Sequence, residues 1–302
     1  KIFYFKKTMK KYLKKLTSKK YTWIVTGGAG FIGSNLIERL LKYKQKVICI
    51  DNLFTGDLKN IKPYLKNKNF VFIKKDIRQK NIFKKKINVD YFIHLAALGS
   101  VPRSIKDPYE TNDVNLNGSM NMFKLGSYLN CKRFIFASSS SVYGDGQGIT
   151  KKESDTLRPI SPYGLSKLFF EKYIENISSN KKLKSVGLRF FNVFGPRQSI
   201  KGPYAAVIAQ WINSGFSKKK LILNGDGSTT RDFTYVSNVV DGIISSCFFS
   251  FEKYFEAINL ACGKEISLSE LIKILKYLFG EKKIKIKIKH KPFRKGDIKN
   301  QS

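Results

Sequence analysis

The run Thr26-Gly27-Gly28-Ala29-Gly30-Phe31-Ile32-Gly33 leaves this chain few folds to choose from. It follows a short apolar run, Trp23-Ile24-Val25, and opens into residues 34–41, whose apolar positions recur at helical spacing. The order is strand, glycine turn, helix. Gly27, Gly30 and Gly33 stand at the spacing GxxGxxG. The first lets the chain turn tightly, the second lets backbone approach a pyrophosphate, and the third lets the helix pack close to the strand. The start of the helix offers free N–H groups and a positive dipole end to phosphates. A second strand, residues 46–50, is followed by Asp51, 18 residues past Gly33. An acid there can bind a ribose 2′-OH and repels a 2′-phosphate, which favours NAD over NADP. A glycine turn from some other α/β protein is the plainer alternative; the strand–helix–Asp context weighs against it.

The 302 residues, 42% hydrophobic, suffice for a full core in one large domain or two smaller ones. No apolar run approaches the ~20 residues that span a bilayer, so no membrane partner is expected. Residues 1–20 are Lys-rich and lack a long apolar stretch or a small-residue cleavage site. They read as an amphipathic helix packed on the body, not as a secretory leader, with Met9 an alternative start. The net charge of +35 admits nucleic-acid binding. The lysines are spread along the whole chain, however, and Lys, Asn, Ile, Phe and Tyr are abundant together, as codon bias in an AT-rich genome produces. That reading is preferred, and nucleic acid is not expected as a partner. The field would still attract an anionic nucleotide-linked substrate. Cys49, Cys131, Cys247 and Cys262 form no CxxC pair and are expected as reduced thiols of a cytoplasmic protein. With only His94 and His290 present, a His-based metal site has little support.

Strand-like runs at 23–25, 47–50, 70–73, 91–94, 134–137 and 186–190 alternate with helical patterns at 33–42, 114–129 and 163–178. This predicts an α/β fold, a doubly wound parallel sheet with helices on both faces, whose ligands sit beyond the strands' carboxyl ends. Past Asn192 short strands (221–223, 284–289) mix with helices (204–214, 267–278), which predicts a smaller α+β substrate-binding lobe. The expected division is 1–190 for the N-terminal extension and cofactor domain, with 237–258 returning to it, and 191–236 plus 259–302 for the second lobe. The tract 282–291 alternates Lys and Ile; a half-exposed strand is one reading, and a solvated charged face is preferred.

Tyr163 and Lys167 form YxxxK and share a helix face. A free phenol, pKa ~10, is a poor base at neutral pH, and a nearby ammonium lowers that value. Such a pair can deprotonate an alcohol while an adjacent NAD accepts the hydride. Ser138-Ser139-Ser140-Ser141 ends a strand with four hydroxyls that could bind a reacting oxygen. The run from Arg189 to Arg197 ends another with an amide, a glycine and an arginine, and Arg231 follows a glycine turn and could clamp a phosphate. Taken singly, each is more often just a capped turn or a surface ion pair.

Together these motifs resemble the extended short-chain dehydrogenases/reductases of the nucleotide-sugar epimerase group. TGGAGFIG, Asp51-Asn52, DIR at Asp76, HLAA at His94, SSSSVYG, SPYGLSK, RFFNVFGPRQ, DGSTTRDFTYV and FRKGD follow in that group's order from about Tyr21 onward. The run from Ala96 to Ile105 resembles the UDP-N-acetylglucosamine 4-epimerases, as does the basic N-terminal extension. The resemblance implies that Tyr163 is the base, Lys167 its partner and ribose anchor, and Ser139 the serine on the sugar O4. It implies NAD contacts from Gly27, Gly30, Phe31, Ile32, Gly33, Asp51, Asn52, Asp76, Ile77, Ala96 and Asn115. Asn192, Ala206, Arg231, Arg294 and Asp297 would hold UDP. Gly99, Ser100, Ser140, Gln198 and Ala206 would line the sugar pocket, with room for an N-acetyl group. Tyr163 would take the O4 proton as C4 gives hydride to NAD; the 4-keto sugar would turn over, and hydride would return to its other face. A homodimer through the helices at 114–129 and 163–178, and a role in surface polysaccharide synthesis, come with the resemblance.

Two departures stand out. Family members continue past FRKGD, which would leave an apolar patch exposed here. Members that accept N-acetyl sugars tend to carry Ser four residues after the Asp of FRKGD, where this chain has Gln301. Of the rivals, a 4,6-dehydratase needs an Asp-Glu pair where Ser140-Ser141 stand. A UDP-glucose or UDP-glucuronate epimerase differs only in pocket detail, and Arg103 is a candidate partner for a C6 carboxylate. Ser139, Tyr163 and Lys167 argue against a non-catalytic NAD- or nucleic-acid-binding protein.

Overall fold

The computed structural model describes residues 12, 14–83, 85–145, 150–200, 206–292 and 300–301. The strands are β1 (Thr22–Thr26), β2 (Lys46–Asp51), β3 (Phe70–Lys74), β4 (Tyr91–His94), β5 (Arg133–Ser139), β6 (Ser185–Phe190) and β7 (Val193–Phe194). There follow β8 (Leu221–Asn224), β9 (Thr230–Asp232), β10 (Thr234–Tyr235), β11 (Phe255–Leu260), β12 (Glu265–Ser267), β13 (Ile288–Lys291) and β14 (Asn300–Gln301). The main helices are α1 (Phe31–Lys42), α2 (Val101–Lys106), α3 (Pro108–Asn112), α4 (Ser119–Tyr128) and α5 (Pro162–Ile177), then α6 (Val207–Phe216), α7 (Val236–Phe248) and α8 (Leu268–Glu281).

Seven strands form one sheet in the order β11-β6-β5-β4-β1-β2-β3, every neighbouring pair parallel. A parallel sheet covered on both faces needs apolar residues at successive positions, and β1 supplies them: Trp23, Ile24, Val25 and Thr26 are all fully buried. Successive side chains point to opposite faces, so Trp23 and Val25 pack with α1 and α7, and Ile24 packs with α4 and α5. The direction of strand order reverses between β1 and β4, which opens a crevice there. The doubly wound sheet is thus as read from the sequence.

Four differences have physical reasons. The expected helix at 114–129 begins earlier and changes winding: α3, a π segment over Asp113–Gly118 and α4 follow one another without a break. The sheet has a seventh strand, β11, whose alternating sequence carries no strong strand signal until it pairs with β6. The preference for a solvated face at 282–291 is corrected. Residues 288–291 pair with β8, and Ile284, Ile286 and Ile288 pack against a separate core of Ile208, Trp211, Leu221, Leu223, Leu271 and Leu275. The strand is also shorter than the 284–289 expected. At the other end, residues 14–18 are helical, and Leu16 is buried in the main core; the rest of the expected N-terminal helix lies outside the described residues, Tyr12 apart. On the second lobe Ile274, Tyr277 and Leu278 of α8 and Phe216 of α6 are exposed. Cys49, Cys131 and Cys247 are buried and Cys262 is exposed, all four as free thiols.

Candidate active site

The turn after β1 shows why glycines are needed. Gly27 has φ +68°, and a Cβ on it would stand 2.7 Å from the Ala96 nitrogen. A Cβ on Gly33 would strike the Gly27 carbonyl, so α1 packs directly on the turn. Gly30 is less confined, with only the Gly27 carbonyl nearby, at 3.1 Å. As N-cap it gives α1 no side-chain cap, and no acid occupies the first turn, so the helix N-terminus stays open to an anion. Asp51, at the end of β2, accepts from the Ala29 amide (2.9 Å) and the Leu53 amide (2.8 Å). Two backbone donors leave each oxygen with capacity for a ribose hydroxyl. Burial raises its pKa, and those two bonds pull against the rise.

Beyond β3 a second polar group forms. Asn52 donates to Asp76 at 2.9 Å, and Arg78 grips Asp76 with Nε at 3.0 Å and Nη2 at 2.8 Å. These bonds hold the Asp76 carboxyl down at about 2. Asp51, Asn52, Asp76, Ile77 and Ala96 line one recess with Phe54 and Glu110.

The central cleft is lined by Gly27, Gly30, Phe31, Ile32 and Gly33 on one wall and by Ser139, Tyr163, Lys167, Asn192 and Gly99 on the other. Three consecutive residues of β5 meet three different turns of α5, as three rungs. Lys167 Nζ donates to the Ala137 carbonyl at 2.9 Å, Ser138 Oγ donates to Glu171 at 2.5 Å, and Ser139 is hydrogen-bonded to the Tyr163 phenol. The expected depression of the Tyr163 phenol by Lys167 is not realised in this geometry. Burial raises it, Ser139 offsets part of the rise, and Lys167 Nζ lies 5.9 Å from the ring centre. Burial in turn lowers Lys167 to about 8, and Glu171 opposes that fall.

The remaining predicted residues are placed as follows. Asn115, in the π turn, faces inward: it accepts from the Leu98 amide at 2.9 Å and donates to Ser166 at 3.1 Å, which ties the turn to α5. Ser100 caps α2 by accepting from the Arg103 amide at 3.2 Å. Of the four serines, Ser138 is turned to Glu171, Ser139 faces the cleft and Ser140 is buried beside it. Ala206 is the N-cap of α6 and is exposed. Arg231 lies in β9, with Nη1 donating to the Thr230 carbonyl at 2.7 Å. Gln301 lies in β14, in register with Arg231. Arg294 and Asp297 lie outside the described residues.

Two buried groups escaped the sequence reading. Arg189 pairs with both oxygens of Glu171 (3.0 and 2.7 Å) and donates to Tyr143 at 2.8 Å. Its signal was there: a charge inside the apolar run 185–190 demands a buried partner, and Glu171 continues the Tyr163–Lys167 helix stripe by one turn. His94 bridges Thr26 (2.7 Å) and Ser119 (2.8 Å), and burial drives its pKa down to about 3, so it stays neutral. Among the described residues no group of three or more His, Cys, Asp or Glu is arranged to hold a metal ion.

The model of the NAD dependent epimerase/dehydratase family matches residues 23–247. This chain belongs to that family. A putative UDP-glucose 4-epimerase of Methanocaldococcus jannaschii is 36% identical over 85% of this chain and 82% of its own length. A UDP-glucuronate 4-epimerase of Thermodesulfobacterium geofontis is 32% identical over 92% and 85%. Among solved structures, the UDP-N-acetylglucosamine 4-epimerase of Methanobrevibacter ruminantium M1, in complex with UDP-N-acetylmuramic acid, superposes with a TM-score of 0.85 at 37% identity, over 94% of this chain and 89% of that one. The protein is an NAD-dependent nucleotide-sugar 4-epimerase, an isomerase. The site fits the cofactor on its own terms: a glycine cradle that a Cβ would fill, an uncapped helix start and a carboxylate with acceptor capacity to spare.

Proposed function

We propose that this epimerase interconverts UDP-N-acetylglucosamine and UDP-N-acetylgalactosamine for surface polysaccharide synthesis. The observation that carries the reading is Gly99: a Cβ there would stand 4.0 Å from the Tyr163 hydroxyl, so glycine leaves room beside the reacting group. The name of the Methanobrevibacter neighbour supports the same substrate. Gly27, Phe31, Ile32, Asp51, Asp76 and Ala96 would hold NAD, with Asn115 acting from behind through Leu98 and Ser166. NAD supplies a cationic ring that takes up hydride and gives it back. Tyr163 takes the proton from the sugar O4, Ser139 holds that oxygen and offsets part of the burial that raises the phenol, and Lys167, 5.9 Å from the phenol ring centre, anchors the nicotinamide ribose. Asn192, Gln198, Ala206 and Arg231 hold the sugar nucleotide, and Arg294 and Asp297 complete the UDP set. UDP-glucose or UDP-glucuronate is the second reading, favoured by the names of the two sequence relatives and, for the carboxylate, by Arg103 on α2.

The working unit is proposed as a cytoplasmic homodimer without nucleic acid. The outer face of α5 exposes Leu165 and Phe169 one turn apart, as an interhelical seam requires. A monomeric mass at micromolar concentration in solution scattering would remove the dimer. For the substrate, purified protein is incubated with UDP-N-acetylglucosamine, UDP-glucose and UDP-glucuronate in parallel, with Tyr163→Phe as control, and products are separated by chromatography. Formation of UDP-N-acetylgalactosamine, lost in the control, supports the first reading. Turnover of UDP-glucose or UDP-glucuronate alone moves the assignment to the second.

A further inference from the structure

The chain leaves the large sheet at Phe190 and enters the second lobe through β7, which pairs with β10. Immediately after β7 comes an unusual turn. Gly195 has φ +148°, and Arg197, a non-glycine, has φ +68°. A non-glycine residue in that region carries a backbone cost that supporting contacts can offset. Here they do. Arg197 Nη1 donates to the Ser34 carbonyl at 3.1 Å, and Nη2 donates to Glu38 at 2.6 Å and to the Tyr64 hydroxyl at 3.3 Å. Asn35 Nδ2 returns a bond to the Pro196 carbonyl at 3.0 Å. Three of these partners lie on α1, and Asn35 and Glu38 continue the helix stripe that begins with Phe31, a wall of the cleft.

The turn is flanked by two amides with unspent capacity. Asn192 Nδ2 and Gln198 Oε1 are buried and have no hydrogen-bond partner. Gln198 is already fixed by its other atom, Nε2, which donates to the Val193 carbonyl at 2.9 Å. A buried donor and a buried acceptor left open on either side of one clamped turn fit a ligand that offers both an anionic oxygen and a hydroxyl.

We propose that Arg197 is a positioning residue for the sugar nucleotide: it fastens the turn at 195–198 to α1 and so sets Asn192 and Gln198 against the cofactor wall of the cleft. The inference rests on the epimerase reading above for its ligand, a nucleoside-diphosphate sugar. It makes α1 serve both halves of the site, its N-terminus facing the cofactor and its outer stripe holding the substrate strap.

Arg197→Gly separates the two roles of this position. Glycine adopts φ +68° without strain, so the backbone keeps its turn while the clamp is lost. The holoenzyme is assayed with UDP-N-acetylglucosamine, UDP-glucose and UDP-glucuronate, and UDP binding is measured by calorimetry. The expected result is a KM and a UDP dissociation constant raised roughly three- to tenfold, with kcat within about twofold and melting temperature held. Arg197→Lys, which keeps charge but loses the fork, falls between. Glu38→Gln, on the exposed side of α1, moves KM in the same direction by less, and it carries the test should the glycine variant fold poorly. Unchanged KM and unchanged UDP affinity in folded Arg197→Gly and Glu38→Gln overturn the inference. Wild-type protein that binds UDP but turns over no UDP-sugar overturns the epimerase reading instead, and the UDP affinities still decide the role of Arg197. Wild-type protein that binds no UDP overturns both.

Discussion

Lys167 keeps its proton between two opposed pressures. Burial lowers its pKa to about 8, and the Glu171 carboxylate one turn on pushes the other way. The ammonium form exists below that value and is lost as pH rises through it. Glu171→Gln removes the supporting charge, so the alkaline limb of kcat is expected to move to lower pH, and a pH–rate profile reads this directly. The same change leaves the buried Arg189 guanidinium facing a neutral amide. Urea unfolding is expected to show a loss of about 3–5 kcal/mol, the usual cost of breaking such a pair. The glycines allow a sharper comparison. Gly27→Ala forces a Cβ onto the Ala96 backbone at positive φ, and is expected to yield destabilised protein without NAD. Gly30→Ala meets only one carbonyl at 3.1 Å, and is expected to fold with weakened NAD retention. Cofactor content by absorbance and a thermal melt distinguish the two.

At the scale of elements, α5 carries Tyr163 and Lys167, the proposed base and its partner, and its start is well specified. Ser161 accepts from the Gly164 amide at 3.1 Å, and Pro162 holds the first helical position. Ser161→Ala is expected to cost about 1 kcal/mol in a thermal melt. A larger fractional loss of kcat should accompany it, because the three rungs to β5 loosen together. This helix was legible in the sequence, as were β1, β2, β4 and α1, because fully buried parallel strands and amphipathic helices write their environment into every position. Tyr163 and Lys167 were legible as neighbours for the same reason, one helix stripe, whereas Ser139 among the four serines was singled out by the family resemblance and not by spacing. The π turn was not, since residues 113–118 read as ordinary helix and the partners of Asn115 within it, Leu98 and Ser166, are distant in sequence. Strand β13 was obscured by lysines, whose long stems and charged heads masked isoleucines that the second lobe needs for its core. The upward shift of the Tyr163 phenol depends on solvent exclusion, which spacing does not report.

Across the whole molecule, the described residues form two main regions of apolar packing. The large one wraps the sheet, and the smaller one joins α6, α8, β8 and β13. Within the large core α1 and α7 pack through apolar side chains, and an ion pair, Arg39 to Asp241 at 2.5 Å, with Arg39 part-exposed, adds to that contact. Superposed on this frame is a net charge of +35, spread over the chain. A field of that sign concentrates a doubly charged nucleotide near the cleft, and salt screens it within a Debye length of about 8 Å at physiological strength. The KM for a UDP-sugar is therefore expected to rise with ionic strength while kcat stays flat, in a titration of sodium chloride under saturating NAD.

The exposure pattern of the thiols gives the molecule one native chemical handle. Burial pushes Cys131 up to about 12 and drives Cys49 and Cys247 further in the same direction, so none of the three supplies thiolate at neutral pH. Cys262 is exposed just past β11, and its amide is held by Asp232 at 3.0 Å, where the sheet hands over to the second lobe. A maleimide dye added to the folded protein is therefore expected to couple once, at Cys262, giving a mass increase of a single label without any engineered cysteine. A fluorophore fixed there stands between the end of β11 and β9, the strand that carries Arg231, and a change in its emission on adding UDP would report nucleotide binding.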